Sequence, residues 1–155
     1  MVDLREAGHA VRNFEELLER TPEKASHRRV SPEAWTLAEI VGHLIDSAAN
    51  NHQRFVRLRL GNLEGFPGYD TEAWIAAQGY DACDFRRLTA LWASYNDLLL
   101  HLAATTPAEA AAHVWRSPDG ERSLEFLIED YYDHLRAHAA HYVARLDEVL
   151  ATMDG

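Results

Sequence analysis

The sequence predicts an all-α fold, a four-helix bundle with long connections between its helices. Three observations support this. Apolar residues recur at helical spacing along four long stretches, the two-residue alternation of strands is nearly absent, and the breaks between stretches carry proline, glycine and capping residues. A chain of 155 residues can bury one core without staples, so residues 1–155 are read as a single domain.

The first stretch sets Leu4, Ala7, Val11, Phe14 and Leu18 on one side and stops at Thr21-Pro22, where proline cannot continue a helix. The second has the clearest start. Thr36 and Glu39 have capping-box spacing, in which hydroxyl and carboxylate satisfy free amides of the first turn, and Trp35 before the cap can act as a hydrophobic staple. Leu37, Ile40, Val41, Leu44, Ala48, Phe55 and Leu58 then form a core stripe that ends near Gly61-Asn62. Three glycines and a proline between Gly61 and Asp70 read as a loop. Asp70 or Thr71 opens a short helix over 72–78, closed by Gly79.

A third long helix runs from about Asp84 through Leu88, Leu91, Trp92, Tyr95, Leu98 and Leu99 to Ala104, before Pro107. Ser117-Pro-Asp-Gly120 is a turn, because proline presets φ and glycine accepts positive φ, and a hairpin-like excursion can surround it. The last helix begins near Ser123 and runs to about Met153, with Leu124, Leu127, Ile128, Tyr131, Leu135, Tyr142, Leu146 and Leu150 inward. The long connections before the third and fourth helices permit a departure from simple up-down neighbours.

Twenty-five acidic residues against fifteen basic ones give a formal charge of −10, which repels phosphate backbones and anionic lipid, so neither nucleic acid nor membrane is an expected partner. The densest arginines, Arg28-Arg29 and the group Arg54, Arg57 and Arg59, read as solvated helix faces. The single Cys83 excludes an intrachain disulfide. With no signal-peptide-like opening, a reducing, cytoplasmic location is expected. No apolar run approaches the roughly 20 residues that span a bilayer.

The chemistry concentrates in histidines. His134 and His138 sit one turn apart on one helix face, beside Leu127 and Tyr131, and His43 projects beside Ile40 and Ser47. Both sets fall at stripe edges, facing a seam where a bundle can hold a pocket. Asp130, one turn before His134, and His141, three residues after His138, extend the polar column. Three imidazoles can hold a metal with one coordination position open, as catalytic sites do, whereas a closed structural site commonly adds cysteine. Among nine histidines an i, i+4 pair also arises readily by chance, so spacing leaves a packing role open. Cys83 has no basic neighbour in Gly79-Tyr-Asp-Ala-Cys-Asp84 and reads as an inert small side chain.

Trp35-Thr36 followed by Glu39, then His43-Leu44 with Asp46-Ser47 and a downstream Arg54-Phe55, resembles the second helix of the DinB/YfiT-like superfamily. Tyr69-Asp70 with Ala73-Trp74 resembles the segment after that helix in the YfiT-like branch, and the His-x-x-x-His of the last helix resembles the family's C-terminal metal pair. The motifs follow in order from about residue 33 to 146. This resemblance implies a four-helix bundle in an unusual order. It also implies a divalent metal held by His43, His134 and His138; neutral imidazoles suit zinc, nickel, iron or copper, with zinc the first expectation and nickel the second. A histidine or glutamine commonly follows the last ligand by three, which is the place of His141, so the pair is read as His134 with His138.

The resemblance further implies a metal-dependent enzyme. The leading expectation is transfer of a low-molecular-weight thiol to small electrophiles in detoxification or stress. The alternatives are a metal-dependent hydrolase with water as nucleophile and a non-catalytic metal- or ligand-binding stress protein. A homodimer acting on a small-molecule substrate is expected. Asp130 and Asp46 are candidates to orient an imidazole, although Asp46 projects away from the stripe, as a solvated surface acid would. Tyr69, Asp70 and Trp74 are candidates to roof the pocket, or in the case of the aromatics to close the core. A ferritin-like di-iron site is disfavoured, because it wants glutamate three residues before each paired histidine and Tyr131 and Leu135 stand there.

Overall fold

The computed structural model describes residues 2–155. In chain order it comprises α1 (Leu4–Arg20), α2 (Glu23–Ser26), α3 (Leu37–Leu60), β1 (Leu63–Glu64), α4 (Thr71–Gln78), a 3-10 turn (Tyr80–Ala82), α5 (Phe85–Ala104), α6 (Ala108–Ala111), β2 (Val114–Ser117), β3 (Gly120–Ser123) and α7 (Leu124–Met153). Each long helix starts at a side chain that accepts from free first-turn amides: Asp3, Thr36, Asp84 and Ser123. At Thr36 the capping box closes in both directions, with Thr36 N–H donating to Glu39 Oε2 at 2.8 Å and Glu39 N–H donating to Thr36 Oγ1 at 3.2 Å.

The four long helices are not arranged in chain order. Both α1 and α3 pack against α5 and α7, which sets α1 diagonal to α3 and α5 diagonal to α7. Contacts along the helices give their directions. His52 meets Tyr95 and Arg59 reaches Thr105, so α3 and α5 run the same way. Arg145 donates to the Trp35 carbonyl while Phe55 meets the Tyr131 ring, so α3 and α7 run oppositely. Parallel neighbours cannot be joined by a tight turn. The chain between α3 and α5 therefore returns along the bundle, carrying β1, α4 and the 3-10 turn across the outside of α3.

One apolar core fills the bundle, with Phe14 edge-on to Trp92 at 4.9 Å and to Tyr142 at 5.3 Å. Two glycines shape the cover over α3. Gly79 takes a left-handed conformation, φ 63°, which turns the chain out of α4 into the 3-10 turn. Gly42 lets the Tyr80 ring lie directly on the α3 backbone, where a Cβ would stand 2.1 Å from Tyr80 Cδ2.

The expected helices stand where the caps and breakers place them. The turn at Ser117 to Gly120 is a β-hairpin, in which β2 and β3 pair antiparallel with Trp115 opposite Arg122. The loop after α3 differs from expectation, since it contains β1, which pairs parallel with β2. Two residues show no alternation, so only the partner strand makes the segment visible. Leu91 and Leu98, in the apolar pattern of the third long helix, lie on its outer side at 51% and 41% exposed. Among the described residues no helix is long and apolar enough to cross a membrane.

Candidate metal centre

His43 lies two turns into α3 and is 4% exposed. His134 and His138, one turn apart on α7, face it because the two helices pack side by side there. Ring nitrogens of the three residues all lie within 4.8 Å of one another. The Nε2 atoms of His43 and His138 are 3.2 Å apart, and the ring centroids are separated by 4.5 Å for His43 and His138, 5.3 Å for His43 and His134, and 4.3 Å for His134 and His138. Two imidazole nitrogens facing at such a distance need a proton or a cation between them. The Nδ1 atoms of His43 and His138 are buried and have no hydrogen-bond partner in the protein.

Burial disfavours a charge on all three rings. Desolvation first, then the neighbouring histidines His138, His134 and His141, pushes His43 down to about 3. Desolvation, with His134 and His141, pushes His138 down to about 4. Burial also lowers His134, against the opposing charge of Asp130. At neutral pH the trio therefore offers uncharged imidazoles with free lone pairs, the form in which histidine binds metal. The donor set, its convergence from two rigid helices and the orphaned ring nitrogens fit a divalent ion, and His43, His134 and His138 are the residues that could hold it.

The surroundings assign different places to the other sequence candidates. Trp35 tilts over His43 at 5.3 Å and lies 6.5 Å from His141, so it forms a wall of the site as well as preceding the cap. Its indole N–H donates to Glu72 of α4 at 3.3 Å. His141 is half-buried, 6.0 Å from His138 and outside the trio. Asp130 is exposed and acts on His134 through its charge. Asp70 caps α4, accepting from Ala73 N–H at 3.0 Å, which accounts for it locally. Tyr69 and Trp74 lie tilted against each other, ring centroids 5.0 Å apart. The groups that act on the Tyr69 hydroxyl are Asp46, Arg54 and Ser47, so this pair covers the length of α3 beyond the imidazoles.

Two readings of the sequence are corrected. Asp46 is no solvated acid: it is 3% exposed, because the crossover connection covers its side of α3. Its Oδ1 accepts from the Tyr80 hydroxyl at 2.6 Å and from Gln78 Nε2 at 2.8 Å, while Oδ2 is buried without a partner. Burial raises its pKa against those two hydrogen bonds. Arg54 is no solvated surface group either. It is 9% exposed, with its guanidinium stacked 4.4 Å from the Trp115 ring centroid. Sequence reasoning missed Tyr80 and Gln78 altogether. The one available signal was the spacing of polar residues His43, Ser47, Asn50 and Arg54 on a single helix face.

Fold and site together define a helical bundle with a partly buried three-histidine cluster between two of its helices. The profile of the DinB superfamily matches residues 8–142, and the chain belongs to that superfamily. Among solved structures it is similar to YfiT from Bacillus subtilis, described as a probable metal-dependent hydrolase with an unusual four-helix bundle topology. The two share 20% identity and a TM-score of 0.74, over 99% of this chain and 91% of that one. This likeness shows a common fold. A search of curated proteins finds no match.

Proposed function

We propose that the chain is a metal-dependent enzyme whose ion is held by His43, His134 and His138, zinc as first choice and nickel as second among the zinc, nickel, iron and copper that neutral imidazoles suit. The observation that supports this most is the convergence of three imidazole nitrogens within 4.8 Å, with two buried Nδ1 atoms lacking partners. The ion would supply an electrophilic position beside the histidines at which a small nucleophile gives up its proton at neutral pH. The protein's own residues fix the imidazoles on two helices, keep them uncharged by burial, and wall the site with Trp35.

The reading we favour is transfer of a low-molecular-weight thiol to a small electrophile in detoxification or stress. The thiol sulfur bonds to the electrophilic carbon, the leaving group departs with its electron pair, and the thiol proton passes to solvent. It is supported by the surroundings: Asp46 is engaged by Tyr80 and Gln78, and Asp130 is exposed. A thiol that ionises at a metal requires no base. Cys83, half-buried and on the crossover connection, has no basic residue in the Gly79-Tyr-Asp-Ala-Cys-Asp84 segment to favour its thiolate. The second reading, hydrolysis with water as nucleophile, is favoured by the likeness to YfiT.

The test uses untagged protein. Elemental analysis is expected to find one divalent ion per chain, lost in His138→Ala; unchanged stoichiometry in that variant would remove the site. Conjugation of electrophiles is then assayed with several small thiols. Acceleration with a thiol supports transfer, whereas thiol-independent cleavage of an ester or amide supports hydrolysis.

A further inference from the structure

We propose that Arg54, together with Arg122 and the Tyr69 hydroxyl, forms an anion site that binds a carboxylate or phosphate group of the substrate. Arg54 lies eleven residues after His43 on α3. At helical geometry this returns it to within about 20° of the same face, about 16 Å along the axis. Ser47 and Asn50, both buried, occupy the face between them, so the imidazoles and the guanidinium stand at two ends of one polar strip.

Arg54 is nine-tenths buried, and among the described residues no carboxylate pairs with it. Its Nε is buried with no hydrogen-bond partner. A cation taken out of water without a counter-charge is costly, and the stack on Trp115 compensates only in part. The local field adds to the mismatch. Desolvation dominates at Arg54, and the ionisable groups that act on it are the Tyr69 phenol, whose own pKa is raised, and a second cation, Arg122. The sheet explains why the two arginines meet: Trp115 and Arg122 are direct cross-strand partners, so their side chains rise on one face of the hairpin, and Arg54 stacks on that tryptophan. In a chain of net charge −10, two cations meet beside a phenol, and Asp46, the acid that acts on that phenol, is not among the groups that act on Arg54. A planar guanidinium set over a ring presents a fork, the geometry that grips a carboxylate or phosphate in two parallel hydrogen bonds.

That this anion belongs to the substrate rests on the proposed metal centre; the binding of an anion does not. The experiment therefore uses metal-stripped full-length protein, titrated calorimetrically with inorganic phosphate in one arm and with succinate in the other. One of the two is expected to bind at a single site. Arg54→Gln is expected to weaken it at least tenfold, Arg54→Lys to weaken it because the fork is lost, and Arg122→Gln to weaken it severalfold. His138→Ala is expected to leave it unchanged, so loss of metal binding and loss of anion binding are scored separately. Binding of neither anion, or equal affinity in Arg54→Gln, overturns the proposal. If Arg54→Gln does not fold, the exposed Arg122→Gln and the conservative Tyr69→Phe decide: unchanged affinity in both overturns it.

Discussion

Gly42→Ala is expected to destabilise the protein, against the direction that helix propensity alone would give. In an exposed helix interior, replacing glycine by alanine stabilises by about 1 kcal/mol. Here the new Cβ would stand 2.1, 2.3 and 2.6 Å from Cδ2, Cγ and Cε2 of Tyr80, distances that no side-chain atom tolerates. The ring cannot swing aside cheaply, because its hydroxyl is tied to Asp46 at 2.6 Å and to Gln78 at 2.9 Å. Overpacking of this kind costs about 1–3 kcal/mol. Pulling the hydroxyl from a buried acid costs about 1.5–3 kcal/mol more where that acid is ionised. Set against the propensity gain, the net is a loss of roughly 1.5–5 kcal/mol. Urea unfolding followed by circular dichroism measures it. In a Tyr80→Ala background the obstacle is gone, and the same Gly42→Ala change is expected to stabilise by about 1 kcal/mol. Equal or greater stability of Gly42→Ala in the wild-type background would refute the argument, as would the same sign in both backgrounds.

Stability without metal is expected to fall with pH. His43 titrates near 6.5 when unfolded and about 3 when folded, so between these values the unfolded chain binds more protons and stability drops as pH falls below 6.5. The slope is about 1.4 kcal/mol per pH unit for this one ring. It appears as the difference in urea midpoints between metal-stripped wild type and His43→Gln, and coincident slopes would contradict it. Thr36→Ala removes the hydroxyl half of the capping box and is expected to cost about 1 kcal/mol, read as a lowered melting temperature. Tyr80→Phe keeps the ring and removes the donor to Asp46; because burial raises that carboxyl above its ordinary value, the loss is expected to shrink as pH falls through the raised pKa, and a loss independent of pH would contradict it.

Much of this fold was legible because its signals are local. Capping residues at Thr36, Asp84 and Ser123 act within a single turn, and the breaks at Pro22, Gly61 and Pro107 stop helices wherever they occur. The spacing of His134 and His138 is likewise a property of one helix, and the resemblance of the motifs in order selected His43 as their partner. Three features depended on what covers α3 and were misread or missed. Asp46 projects off the core stripe, and only the crossover connection buries it. Arg54 looks solvated beside Arg57 and Arg59 until the hairpin brings Trp115 beneath it. Strand β1 is two residues long and exists through its pairing with β2.

The sequence by itself determined the four long helices and the short helix α4, because hydrophobic period, caps and breakers act through neighbours a few residues apart, while His43, His134 and His138 were singled out as a set by the ordered resemblance of the motifs. The tertiary structure decided everything that requires two distant segments at one point. It set α3 between α5 and α7, and so brought His43 Nε2 to 3.2 Å from His138 Nε2 across 95 residues of chain. It also laid the crossover and the hairpin over the rest of that helix. The ionisation of a buried imidazole, acid or guanidinium depends on what excludes water from it, and that exclusion is made by packing among elements that no local pattern records.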